Sequence, residues 1–252
     1  MEPSYGHFLL YGEVGSGKSS GAGTWPKPML VCMWDPLGKE RPYFYTRSGK
    51  PRGVLTRFKE GNVLVDEMRD DAGELLVRIE HYIDAVVKEP RAYSDFLARM
   101  VRLHDDIAKW NLQTLVIDSV TFMELAARKE QQYRINPQAR EPRQWFAGST
   151  DTLEEVLMIQ LGSVPINVVV LAHVDEDRDE LHGTMVRNPS APGRLRKRSP
   201  AGYGEVYRSY VQRNGDDTMY LWQTRSDQFY NALSLFNVPN PCHQGYKELW
   251  MP

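Results

Sequence analysis

Residues 7–20 read His-Phe-Leu-Leu-Tyr-Gly-Glu-Val-Gly-Ser-Gly-Lys-Ser-Ser. An apolar run from His7 to Tyr11 gives way to glycines interleaved with polar residues. Ser19-Ser20-Gly21-Ala22 then opens a helix, though a short one. This order describes a buried strand, a loop wrapped around an anion and a helix start, and it fits the pattern G-x-x-x-x-G-K-[ST]. Gly12, Gly15 and Gly17 lack a Cβ, so the backbone can take positive φ and press against phosphate oxygens. The N–H groups of the loop, through Glu13, Val14 and Ser16, and those of the helix start converge on the anion, aided by the helix dipole. Lys18 would reach the β- and γ-phosphates, and the Ser19 hydroxyl is a ligand for Mg²⁺. Residues Gly12 to Ser20 are therefore expected to hold a nucleoside triphosphate together with Mg²⁺.

Thr114-Leu115-Val116-Ile117-Asp118-Ser119 puts one carboxylate at the end of a stretch that suits a buried parallel strand. Apolar strands often end in Asp. Behind a phosphate loop, however, this is the Walker B pattern, with Asp118 holding the metal opposite Ser19, usually through water. Two more strand ends belong with it, because ligands of parallel α/β sheets lie beyond the carboxyl ends of the strands. The run Pro28–Trp34 ends at Asp35, followed by the turn Asp35-Pro36-Leu37-Gly38-Lys39. The run Ile166–Ala172 ends at His173, placed to touch the γ-phosphate or its attacking water. The helix before the second strand must be stunted, since Gly21, Gly23, Pro26 and Pro28 all oppose it.

The remaining segments are read from periodicity and breakers. Residues 36–62 read as a loop-rich insertion bordering the nucleotide, with Asn62–Val65 as a strand. Leu75, Leu76, Ile79, Tyr82, Ile83, Val86 and Val87 have helical spacing, and Glu89-Pro90 ends that helix. A second helix carries Phe96, Leu97, Met100, Leu103, Ile107 and Trp110. Another follows Ser119 through Phe122, Met123, Leu125 and Ala126. Residues 128–147 are polar and basic, interrupted by Pro137 and Pro142, and Thr150-Asp151 caps a further helix. Residues 175–205 form a long polar loop around Arg194-Leu195-Arg196-Lys197-Arg198, a cluster that fits nucleic-acid phosphates or, more plainly, a solvated charged loop. Glu205–Val211 and Thr218–Gln223 pair as a hairpin, and residues 226–252 are a tail that folds back on the sheet.

The chain has 252 residues, enough for one large α/β domain or two small ones, and we expect one, over 1–252. Net charge is −2, so any nucleic-acid site must come from local clustering. Two cysteines make neither a disulfide framework nor a zinc site. The N-terminus carries no signal pattern, and no apolar run approaches the ~18 residues of a membrane span. A cytoplasmic location is expected.

Two nucleotide motifs, a polar residue after the next strand, a long basic loop and then a hairpin together resemble the RecA-like ATPase core. More narrowly, GEVGSGKSS at 12–20, KPMLVCMWDPLGK at 27–39, LVIDSVT at 115–121 and VVVLAHV at 168–174 resemble small phage-encoded RecA-like ATPases of the Sak single-strand annealing type. The resemblance implies an α/β, RecA-like P-loop core with a mostly parallel central sheet flanked by helices and a C-terminal antiparallel hairpin. It places His173 where RecA-type proteins couple nucleotide state to DNA. The cluster Arg194, Arg196, Lys197 and Arg198 falls where they bind single-stranded DNA. A homo-oligomer, ring or filament, is implied as well, with Arg225 as a trans-acting arginine. One position departs. Leu37 stands where the family has a catalytic Glu, so Asp35, Glu40 or Glu13 takes over orienting the water, or hydrolysis is slow or completed by a neighbouring subunit. ATP-dependent action on single-stranded DNA is thus one expected function, and a nucleotide-gated assembly protein without nucleic-acid activity is the other. A small-molecule kinase is a weaker third, for want of an arginine-rich lid.

Overall fold

Runs of β-branched and large apolar residues build the centre of a sheet, because only there are both faces of a strand covered. The computed structural model describes residues 5–46, 48–178, 185–236 and 238–250. In chain order the elements are β1 (His7–Gly12), α1 (Lys18–Ala22), β2 (Met29–Met33), α2 (Arg41–Phe44), β3 (Val54–Glu60), β4 (Val63–Arg69) and β5 (Leu75–His81). There follow α3 (Ala92–Val101), α4 (Leu103–Trp110), β6 (Thr114–Asp118), α5 (Val120–Glu130), α6 (Pro142–Glu154), β7 (Asn167–Arg178), β8 (Met185–Pro189) and α7 (Leu195–Arg198). The chain ends with β9 (Glu205–Asn214), β10 (Asp217–Gln223), β11 (Leu233–Ser234), β12 (Cys242–His243) and α8 (Lys247–Trp250).

The strands form one 12-stranded sheet in the order β12-β10-β9-β1-β7-β6-β2-β5-β4-β3, with β11 on β9 and β8 on β7. Every pair from β9 to β5 is parallel. The outer pairs are antiparallel, including the β9–β10 hairpin turned at Gly215. This is the α/β architecture expected of a RecA-like P-loop core, with β7 inserted between the strand of the phosphate loop and the strand that ends in Asp118.

Alternation along each strand divides the core in two. Leu9, Leu30, Cys32, Leu115, Ile117, Val168 and Val170 face Phe96, Met100, Met123 and Leu153 of the long helices. Phe8, Leu10, Met29, Val31, Val116, Val169 and Leu171 face Trp25, Tyr43, Phe44 and Trp222. Among the described residues the second face has only the short α1, α2 and α8 for helices, and the glycines and prolines after Lys18 stop α1 at five residues. Trp25 and Trp222, with ring centroids 5.6 Å apart, fill the space a longer helix would occupy.

Several sequence expectations are corrected. Residues 75–87 are not a helix, since Leu75–His81 is strand β5. The polar residues between those apolar positions, Arg78 and Glu80, are held in ion pairs and do not form a solvated face. Arg78 Nε and Nη1 donate to Glu80 and Glu67, each at 2.7 Å, and Arg78 also meets Glu60. Arg99 joins Glu80 and Asp106, and both guanidiniums lie over Trp110 at 4.8 Å. Glu89-Pro90 accordingly ends no helix, and it precedes α3. The 36–62 stretch holds α2 and strand β3, so it is not merely a loop. The helix expected over 96–110 is interrupted at Arg102. Thr150 and Asp151 lie inside α6, which starts at Pro142, and the Thr150 hydroxyl donates to Phe146 O within the helix. Strand β7 does not stop at His173 but runs to Arg178 and pairs with β8. The 175–205 segment is therefore partly ordered as β8, α7 and a 3₁₀ turn at Ser199–Gly202, while residues 179–184 lie outside the described ones. The tail does fold back on the sheet, through β11 and β12. Among the described residues no helix is long and apolar enough to cross a membrane.

The Arg78 cluster yields a stability prediction. Arg78→Met leaves Glu67 and Glu80 buried with one partner fewer, and urea unfolding is expected to show a loss of about 3–5 kcal/mol. A loss under about 1 kcal/mol would show that the neighbouring acids find compensation elsewhere.

Candidate functional site

Parallel register brings the ends of β1, β2 and β6 and the His173 position of β7 to one rim. Gly12 pairs with His173, Asp118 with Leu171, and Met33 with Asp118. The rim opens into a cleft of about 740 Å³, lined by Val14, Gly15, Gly17, Lys18, Ser19, Ser20, Asp35, Asp118 and His173 among others. At the loop entry, Gly12 lies so close to β9 that a Cβ would come within 2.2 Å of Ser209 O. The loop then turns on itself, Ser16 N–H donating to Glu13 O at 3.2 Å, and enters α1 with Gly21 N–H donating to Gly17 O. Ser16 is packed beneath the loop, while Glu13 is exposed and contributes its carbonyl.

Lys18 is 7 % exposed, and its Nζ donates to Gly12 O at 2.8 Å and to Glu13 O at 2.9 Å. Burial lowers its pKa to about 8, against the pull of Asp118, Asp35 and Glu13. Ser19 Oγ donates to Asp118 Oδ2 at 2.9 Å, so the loop hydroxyl and the strand-end carboxylate touch directly. Tyr43, fully buried on α2, donates its hydroxyl to the same oxygen at 2.7 Å. Burial first, and the Asp35 carboxylate second, raise Asp118 to about 6. Hard oxygen donors in contact at the rim of an anion-binding loop are what Mg²⁺ takes when phosphates complete its shell. Ser19 and Asp118 thus fit the metal.

Asp35 lies beside this pair, and its Oδ1 accepts from Ser119 Oγ at 2.8 Å. His173 is half-buried, with its ring edge-on to Phe122. Burial, reinforced by the Lys18 ammonium, holds the imidazole below its ordinary pKa and favours the neutral form. Glu40 is elsewhere. It accepts from Gly38 N–H at 2.7 Å and Arg57 Nη2 at 3.1 Å, bracing the 36–40 turn, and does not line the cleft. Leu37 is exposed. The expected basic cluster is largely paired with acids. Arg194 meets Asp151 and Glu154, Arg198 meets Glu154 and Arg196 meets Asp175, while Lys197 is exposed.

Sequence reasoning missed Tyr43 and Ser119. Tyr43 and Asp118 are 75 positions apart, so no local pattern pairs them. The aromatic-rich Arg-Pro-Tyr-Phe run after the 35–39 turn was the available signal.

The raised pKa of Asp118 has a signed consequence. The folded protein keeps that proton up to about pH 6, whereas an unfolded chain loses it near 3.8. Stability from this group is complete below the unfolded value and is lost as pH rises through the folded one. Asp118→Asn is therefore expected to stabilise the nucleotide-free protein by on the order of 2 kcal/mol at about pH 8 and by almost nothing near pH 4. Calorimetry at the two pH values measures the difference. An equal gain at both would remove the titration argument.

No family model and no curated protein sequence matches the chain. Among solved structures it is similar to a KaiC-like protein from the hyperthermophile Pyrococcus horikoshii OT3, at 14% identity and TM-score 0.44 over 88% of this chain and 79% of that one. It is also similar to the flagellar accessory protein FlaH from Methanocaldococcus jannaschii, at 9% identity and TM-score 0.38 over 93% and 86%. A third likeness is to an ATPase from the type III secretion system of pathogenic bacteria, at 13% identity and TM-score 0.45 over 81% of this chain and 50% of that longer one.

Proposed function

We propose that the cleft binds ATP with Mg²⁺ and hydrolyses it slowly, and that the protein is a nucleotide-gated RecA-like ATPase. The observation that carries this reading is the Ser19–Asp118 contact beneath a glycine-framed loop whose lysine lies within the same rim. On binding, Lys18 exchanges its two carbonyl partners for β- and γ-phosphate oxygens. Ser19 and Asp118 would hold Mg²⁺, which supplies neutralisation of charge on those phosphates. Asp35, oriented by Ser119, is the carboxylate best placed to orient water, and a neutral His173 can donate or accept beside it. The lack of a carboxylate at Leu37, with Glu40 engaged by Arg57, supports slow turnover.

Two partners fit such a switch, single-stranded DNA and further copies of the chain in a ring or filament. The ion pairs of Arg194, Arg196 and Arg198 favour the assembly reading, because three of the four cations assigned to DNA already have carboxylate partners. The narrower resemblance to phage annealing proteins rests on the sequence motifs alone.

ATPase rate and sedimentation, each with and without single-stranded DNA, test this. Wild type is expected to turn over ATP and to assemble with nucleotide. Lys18→Ala is expected to lower turnover on the order of a hundredfold or more. Stimulation by DNA that fades with rising salt would replace the assembly reading with the DNA one. Absence of ATP binding in wild type would end both.

A further inference from the structure

Gln244 lies just past β12 and is 2 % exposed. Its backbone N–H donates to Tyr220 O at 3.1 Å, which continues the β12–β10 ladder. Its side-chain amide reaches into the phosphate loop, 228 positions away. Nε2 donates to Ser16 O at 2.9 Å and to Leu221 O at 3.0 Å. One planar amide thus ties the loop to β10.

The tie has a direction. Among the described residues only Lys27-Pro28, Asp118-Ser119 and Asn240-Pro241 are cis, so the Ser16–Gly17 peptide is trans. In a trans peptide the C=O and the N–H point opposite ways. Holding Ser16 C=O toward the C-terminal segment therefore turns Gly17 N–H away from it, and Gly17 lines the cleft. That amide belongs to the set that cradles phosphates in a loop of this pattern.

Packing reinforces the arrangement. Gly17 has φ 86°, and a Cβ there would come within 2.5 Å of Gln244 Oε1 and 2.7 Å of Tyr220. A Cβ on Gly21 would come within 2.9 Å of Trp222. Beyond α1, Tyr246 N–H donates to Thr24 Oγ1 at 2.8 Å. Residues 242–246 thus run alongside both the loop and α1, on the sheet face where α1 is too short to give cover.

We propose that Gln244 is a positioning residue for the phosphate loop. It fixes the direction of the Gly17 amide, and so makes nucleotide affinity depend on docking of the C-terminal segment. The proposal rests on the nucleotide reading above, but the geometry it invokes can be measured without nucleotide.

The test uses the full chain as wild type, Gln244→Glu and Gln244→Met. Three readouts apply: titration with fluorescent ATP and ADP analogues, steady-state ATPase, and hydrogen exchange of the 12–20 segment in nucleotide-free protein. Both variants are expected to bind ATP and ADP about tenfold more weakly. Gln244→Glu should be the worse, because its carboxyl oxygen stands where Nε2 donated to the Ser16 and Leu221 carbonyls. KM should rise while kcat changes less than about twofold, as for loss of uniform binding. Exchange in 12–20 should quicken while the β6–β7 core stays protected. Should Gln244→Glu not fold, Gln244→Met keeps the approximate volume and removes the amide with its donors, and it decides alone. Wild-type affinity in a folded variant overturns the proposal, as does unchanged loop exchange. Quickened exchange spread evenly over the chain assigns Gln244 a structural role only and overturns it too. A wild type that binds no nucleotide defeats the functional reading, whereas the exchange data judge the tie independently.

Discussion

A single carboxylate oxygen, Asp118 Oδ2, holds the rim together. It accepts from Ser19 on the phosphate loop and from Tyr43 on α2, and its residue closes the strand lying between β7 and β2. The loop, the first helix and the segment after β2 are all referenced to this one atom. A buried carboxylate is costly unless its lone pairs are used, and here two hydroxyls use them. Both donors are neutral, so the oxygen is satisfied without its charge being cancelled. Burial and the Asp35 carboxylate keep its pKa raised, while the two hydroxyls and the Lys18 ammonium pull it down. The residue is stabilised enough to be built and left basic enough to act.

The stunting of α1 shapes the rest of that face. The glycines and prolines that let the chain turn sharply after Lys18 leave the sheet short of helical cover. Trp25, Trp222 and the C-terminal segment supply it instead. Residues 242–246 thus pack against the phosphate loop itself. The opposite face, under α3 to α6, is an ordinary layer of aliphatic and aromatic side chains.

What could be read in the sequence, and what could not, follows from the range of the forces involved. The phosphate loop, the strands ending at Asp35 and Asp118 and the β9–β10 hairpin are local in origin, each set by a run of apolar residues and a breaker. Strand β5 was misread because Arg78 and Glu80 are buried by partners on β3, β4, α3 and α4, and no window around residue 80 contains them. The basic cluster around Arg196 was legible as charge but not as ion pairs, since Asp151 and Glu154 lie about 40 positions upstream. Glu40 was chosen for proximity in sequence, yet Arg57 from the facing hairpin determines where its side chain sits. The tie from Gln244 to Ser16 spans nearly the whole chain and leaves no trace in either neighbourhood.

Strand β7 does not end where its ligand-facing residue stands. It passes His173 and continues to Arg178, paired with β8 from Val174 to Arg178. A two-stranded ribbon is stiff along its length, and four to five residues at ~3.3 Å each extend it some ~15 Å past the cleft. The ribbon is fastened along its length, Arg187 N–H donating to Phe229 O at 2.8 Å and Asn231 Nδ2 to Asn188 Oδ1 at 3.1 Å. His173 thus sits mid-strand, its backbone held by Gly12 of β1 and by Ser190 just past β8, and not at a loose strand tip.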